Sequence, residues 1–303
     1  TRENTVEVAS GTHTNVYGGW TSGSGSTATD KDNSYKNTVT VKGSANVTNT
    51  LYGGYTEAAS GKATENTVTV EKDLTTANII GGKAASGEAS GNTVNLANAT
   101  VNSVTGGEGA TTNNNTVNLN GNAQVTGALK GGSQASGTDN TLNVKGKNNK
   151  AGSIENIQKM NFDATGLAKD DTMLEDTNAA GTNVNWANLK ASGTAAKPLT
   201  LLKNTNGINL AGYTGAAKSE TGETTETNID VRKTGTRITE ITYEGYQFKG
   251  VTQATTVTEG AVTDTFGGRS KAGNSTRENV ITVGSGAHTN VYGGWTSGSG
   301  STA

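Results

Sequence analysis

The chain has 303 residues and a formal net charge of −2; 53 Thr, 43 Gly and 35 Asn dominate it, against 31% hydrophobic and 17% charged residues. No cysteine and only two histidines exclude disulfides, zinc–thiolate centres and cysteine nucleophiles, and leave little for histidine chemistry. Without a basic excess or a run of about 18 apolar residues, neither nucleic-acid binding nor a membrane span is expected of this segment.

Abundant Thr and Val, few Leu and a single proline, Pro198, point to many short strands separated by glycine turns. Residues 1–28 return at 276–303 with 23 of 28 positions identical, an offset of 275. The sequence therefore reads as a window on a longer repetitive protein, slightly more than one large repeat long.

A smaller repeat runs inside the large one. Asn-[Thr/Val]-[Val/Leu/Ile]-x-[Val/Leu] occurs at Asn4, Asn37, Asn66, Asn92, Asn115, Asn140 and Asn279, with gaps of 33, 29, 26, 23 and 25 residues across the first six. A second motif follows each: VYGGW at 16–20, LYGGY at 51–55, IIGGK at 79–83, VTGGE at 104–108, LKGGS at 129–133, TFGGR at 265–269 and VYGGW at 291–295. In the sixth coil Ile154-Glu155-Asn156 lacks the glycine pair, and the pattern degrades.

Side chains alternate across a strand, so column composition assigns faces. Val6/Val8, Val39/Val41, Val68/Val70, Val94/Leu96, Val117/Leu119, Leu142/Val144 and Ile281/Val283 are always aliphatic and point inward. In the second strand the column Val16, Leu51, Ile79, Val104, Leu129, Ile154, Thr265, Val291 is inward in the same way. Its neighbour reads Tyr17, Tyr52, Ile80, Thr105, Lys130, Glu155, Phe266, Tyr292, and a column that accepts Lys and Glu faces solvent.

One constant column beside a wandering one, with glycine corners and coils of about 25 residues, specifies an all-β chain folded as a parallel β-helix, a solenoid. The 275-residue unit would supply about 11 coils, an axial length of about 50 Å at strand spacing. The recurrent Asn either bonds its equivalents in adjacent coils, forming a ladder along the axis, or merely suits the backbone angles of its turn. Neither version makes it a functional site.

Three regions follow: 1–163, regular coils; 164–264, degenerate coils with long loops, or a small projecting β-domain; and 265–303, the start of the next large repeat. Within the second, AGTNVNWANLK, PLTLLKNTNGINLAGY and TNIDVRKTGTRITEITYEGYQFKG read as strands, with polar loops at Lys169–Glu175 and Ser219–Glu226.

The tandem NTVTV strands, glycine-pair steps and SGxA corners, together with SIENIQKMNF at 153–162, resemble the β-helical passenger regions of bacterial autotransporter (type V secreted) adhesins. The resemblance implies export to the cell surface, a long stalk or fibre, and a role in adhesion or cell–cell and matrix association. Partners expected on that basis are further copies of the chain, joined end to end or side by side, and surface glycans.

No catalytic residue or cofactor is expected. GSGSTA at 23–28 lacks the lysine of a phosphate loop and reads as a turn; GGEGATTN at 106–113 carries Thr111 where a calcium nonapeptide needs an acid. The acids Asp30/Asp32 and Asp170/Asp171/Glu175/Asp176 read as solvated loop residues rather than cation ligands. A polysaccharide-active enzyme would need paired outward acids, and Glu108 and Glu155 stand among Tyr, Lys, Thr and Ser. His13 and His288 read as turn residues. The strongest candidates for a ligand or interface are Tyr17, Trp20, Tyr52 and Tyr55 on one outer face, with Phe266, Tyr292 and Trp295 renewing the patch at the next large repeat. Exposed aromatics stack on sugar rings or another protein surface; alternatively these simply cover the edge of the ladder.

Overall fold

The computed structural model describes residues 1–22, 32–215, 218–221, 225–248, 255–257, 262–266, 269–271, 281–283, 288–292 and 295–297. It is an all-β solenoid; the only helical element among these residues is a single 3-10 turn, Trp186–Asn188.

Each coil contributes one strand to each of two parallel sheets. The first sheet has eight strands: Thr5–Val8, Thr38–Val41, Thr67–Val70, Thr93–Ala97, Thr116–Asn120, Thr141–Lys145, Lys159–Asp163 and Leu189–Ser192. Its register is unbroken, Val6 opposite Val39, then Val68, Val94, Val117, Leu142, Met160 and Leu189. Alternation buries Val39, Val41, Val68, Val70, Val94 and Leu96 completely and turns the intervening Thr and Asn outward. Each of these aliphatics is worth about 1.5–3 kcal/mol of burial. A thin stack of them therefore accounts for a stable interior despite the low apolar content.

The second sheet takes Thr12–Thr21, Asn46–Thr56, Leu74–Ala84, Thr100–Glu108, Gln124–Gly132, Asn149–Glu155, Thr172–Asp176 and Leu199–Lys203. Val16, Leu51, Ile79, Val104, Leu129 and Ile154 are buried in it as the pattern requires. Ile80 is buried as well, an exception to its solvent-facing column, in register with Tyr52 of the preceding coil. The glycine pairs are not corners. They lie inside these long strands, and the chain passes through them in ladder register, Gly54 opposite Gly82 and Gly107 opposite Gly132.

Three expectations are corrected. Lys169–Glu175 is not all loop: Thr172–Asp176 is a strand with Met173 and Leu174 fully buried. Two apolar residues between acids were too few to show as alternation. Ser219–Glu226 likewise contributes to the strands Lys218–Thr221 and Thr225–Thr234. His13 sits in the strand Thr12–Thr21 opposite Val47 rather than in a turn, its Nε2 3.1 Å from the Ser10 carbonyl oxygen.

Parallel coiling continues through Leu199–Lys203 and a short third-side ladder of Thr182–Asn185 against Ile208–Ala211. There the direction reverses. Arg237–Phe248 runs antiparallel to Leu199–Lys203 and to Thr225–Thr234, the latter through a turn at Gly235, whose φ is 62°. Beyond it, Thr255 lies opposite Ile281, Val262 opposite His288 and Arg269 opposite Trp295, all parallel.

Candidate functional site

The recurrent asparagines form a continuous amide ladder. Asn4 Nδ2 donates to Asn37 Oδ1 at 2.7 Å, Asn37 to Asn66 at 2.9 Å, Asn66 to Asn92 at 3.0 Å, Asn92 to Asn115 at 3.1 Å and Asn115 to Asn140 at 3.2 Å. Each acceptor oxygen also takes the backbone N–H of the preceding Asn, as Asn92 Oδ1 takes that of Asn66 at 3.0 Å. The second amide proton goes to a carbonyl: Asn66 to Ser34, Asn92 to Ala63, Asn115 to Ala89, Asn140 to Thr112. Asn37, Asn66, Asn92, Asn115 and Asn140 are fully buried, so complete satisfaction is what makes them tolerable there. Asn279 lies outside the described residues.

The left-handed backbone belongs to the preceding residue: Glu3, Lys36, Glu65, Gly91, Asn114 and Asp139 have φ of 55, 55, 56, 68, 55 and 60°. The ladder also explains the glycine pairs. A Cβ on Gly53 would meet the Gly81 carbonyl and come within 3.0 Å of Asn66 Cβ, and one on Gly81 would come within 2.9 Å of Asn92 Cβ. The two motifs are one device, and both end together. Gln158 Oε1 replaces an asparagine as acceptor for Asn140 N–H, at 3.0 Å, in the coil that lacks a glycine pair.

A second amide ladder, which the sequence pattern did not single out, runs along the outer face of the first sheet. Asn118 donates to Asn95 at 2.7 Å, Asn143 to Asn118 at 2.7 Å and Asn161 to Asn143 at 2.8 Å. The signal was present in the Asn at the middle of TVNLA, TVNLN, TLNVK and KMNFD.

On the outer face of the second sheet the aromatics converge. Tyr17 is in register with Tyr52 and Trp20 with Tyr55. The Tyr17 and Tyr52 rings stack at 4.9 Å and 4°, Tyr52 and Tyr55 at 5.3 Å and 18°, Tyr17 and Tyr55 at 6.0 Å and 17°. Burial in the stack, aided by neighbouring phenols and Glu57, raises the phenols of Tyr17 and Tyr55 above the ordinary tyrosine range, so they remain neutral donors. The three rings present their faces to one another. Trp20, 49% exposed, offers an indole at the margin of the stack. Phe266 is in backbone register with Tyr292, which is 37% exposed, and Trp295 with Arg269; the side chains of Phe266 and Trp295 lie outside the described residues.

The outward acids are held by lysines of the neighbouring coil. Lys83 Nζ is 2.6 Å from Glu108 Oε1 and 5.9 Å from the Tyr55 ring centre, and Lys130 Nζ is 2.8 Å from Glu155 Oε2. Burial disfavours the Lys83 charge, but Glu108 together with Tyr52 and Tyr55 holds its ammonium above the usual lysine range. The hydrogen bond from Lys130 keeps the Glu155 carboxyl below the usual carboxylate range.

Of the acids read as solvated, Asp171 pairs with Lys147 at 2.9 Å, while Asp176 is only 1% exposed, which corrects that reading. Asp176 accepts the Thr182 hydroxyl and, at 3.0 Å, the Asn178 N–H. Burial raises its carboxyl above the ordinary range, against the pull of these bonds and of Asn204. Among the described residues no group of three or more His, Cys, Asp or Glu could hold a metal, and no helix is long and apolar enough to cross a membrane. Asp30, 23–28 and the His288 side chain lie outside the described residues. Neither a protein-family model, nor a curated protein, nor a solved structure matches the chain.

Proposed function

We propose that the chain is a non-catalytic structural segment of a secreted, repetitive bacterial surface adhesin or extracellular fibre of the autotransporter-passenger kind. One observation carries the reading: the hydrogen-bonding capacity of the buried asparagines is spent between coils, so each coil is the template for the next. A solenoid built this way gains length by repetition, without cysteine, metal or a thick core. The 275-residue sequence repeat supports the same role, because it places a copy of the first coil after the last. Electron microscopy of the native material tests the proposal. Thin unbranched particles at the cell surface are expected; compact particles with no long axis would overturn it.

A second reading has its own observation. Trp20 is exposed beside the tyrosine stack, where the hydrophobic core makes no demand for an aromatic residue. Such a platform can grip a glycan or another fibre. Replacing Trp20, Tyr52 and Tyr55 with Ser leaves assembly intact if the face is passive, and removes adhesion while sparing assembly if the face binds.

A further inference from the structure

A groove of about 450 Å³ opens where the parallel coils give way to the antiparallel strands. Its walls include Asn183 and Asn209 of the third-side ladder, Asn206, Tyr213, and Thr236 from the turn between the antiparallel strands with Arg237 at the start of the second of them. No carboxylate lines it. None of the expected site residues lies here.

The groove is preorganised. Asn209 Nδ2 donates to Asn183 Oδ1 at 3.0 Å, and both residues are exposed. Tyr213 is half-buried and braced edge-on by Trp186, ring centres 5.1 Å apart at 73°. Burial, with the field of Asp230 added, raises its phenol above the tyrosine range; Asp230 itself accepts the Val231 N–H at 2.7 Å and is not in the wall.

The rim on one side is tied to a buried centre. Asn204 Nδ2 donates to Asn178 O at 3.1 Å and to Thr182 Oγ1 at 3.0 Å, Thr182 donates to Asp176, and Asn206 N–H donates to Asn204 Oδ1 at 2.8 Å. On the other side Gly207, with φ of 121°, leaves room for Arg237: a Cβ there would come within 2.9 Å of Arg237 Cδ and 3.0 Å of its Cγ. The Arg237 stem lies across the glycine, and its side chain makes no ion pair among the described residues.

One braced aromatic ring, carboxamides that both donate and accept, a hydroxyl, and a single guanidinium with no opposing acid form a set of complementary chemistry. A sugar ring stacked on Tyr213 would exchange hydrogen bonds with Asn183, Asn209 and Thr236 through its hydroxyls, and its carboxylate would meet the Arg237 fork in the bidentate geometry that guanidinium favours. The volume falls within the range of sites for small ligands. We propose that this groove binds a carboxylate-bearing saccharide. The proposal concerns residues separate from the tyrosine stack and does not depend on the fibre reading.

The test is titration calorimetry of the chain with three probes, a hyaluronan tetrasaccharide, trigalacturonate and sialyllactose, each beside its carboxyl-reduced form. At least one acidic probe is expected to bind about tenfold or more tighter than its reduced form at low salt, the scale of one charge-assisted hydrogen bond. Arg237→Gln is expected to erase that difference, Tyr213→Leu to weaken both forms, and Thr75→Ala, at an exposed position outside both the groove and the aromatic face, to change neither. Circular dichroism melting verifies that the variants stay folded, and Asn209→Ala gives a second, milder probe of the same wall. Failure of all three probes to bind overturns the proposal. So does equal affinity for acidic and reduced forms, insensitivity to Arg237→Gln in a folded variant, or binding of an extended peptide along Ile208–Ala211 instead.

Discussion

At the scale of single residues the fold depends on a few polar side chains more than on any one aliphatic. Asn92 receives two hydrogen bonds from Asn66 and donates to Asn115 and Ala63. Asn92→Ala strands several of these buried groups at once, and leaving a buried donor or acceptor unmade costs about 1–3 kcal/mol each. We expect a loss of about 3–5 kcal/mol in denaturant unfolding; a loss near that of an exposed Asn→Ala would contradict the ladder's role. Gly81→Ala drives a methyl toward the Gly106 carbonyl and Asn92, both held in place by the ladder. Overpacking of this kind costs about 1–3 kcal/mol or more, readable in the same experiment.

Asp176 supplies a residue-scale prediction of opposite pH sense from the surface acids. Its folded-state carboxyl is raised, so the folded chain binds that proton more tightly than the unfolded chain. The stability it contributes is complete below the ordinary carboxylate range and is lost as pH rises through the raised value. Glu88, Glu155 and Asp163 are lowered and behave conversely, losing their contribution as pH falls through their folded values. Asp176→Asn should therefore gain on the native chain as pH climbs from about 4 to 7. Melting curves that stay parallel across that range would rule out the assignment.

At the scale of elements, ladders of two kinds join neighbouring coils, and they differ in weight. Lys83–Glu108 and Lys130–Glu155 are in strand register but partly open to water. A double-mutant cycle on Lys83→Met and Glu108→Leu should give a coupling of no more than about 1 kcal/mol, well below the interior amide.

The elements also show what a sequence reveals and what it hides. Val16, Leu51 and Val104 on one parity, and Tyr17, Tyr52 and Thr105 on the other, assigned faces and hence the solenoid, because a repeated environment leaves a repeated residue. Glycine pairs were visible but their setting was not: the asparagine that fills the missing Cβ space comes from the next coil, a relation that no local pattern carries. The strand around Met173 and Leu174 escaped notice because its flanking residues are acids, one of them buried. The reversal at Arg237–Phe248 escaped it too, since alternation is the same for parallel and antiparallel neighbours. The groove at Tyr213 and Arg237 joins residues from three segments and has no local signature.

At the scale of the whole molecule, an in-register stack should open as a cooperative unit wherever its interior ladder is continuous. Side-chain amide hydrogen exchange followed by NMR tests this most directly. The account predicts that the Nδ2 protons of Asn37, Asn66, Asn92, Asn115 and Asn140 exchange only with global unfolding, while those of Asn118 and Asn143 on the outer face exchange much sooner. Equal, rapid exchange in both sets would contradict it, and with it the claim that buried amides join coil to coil.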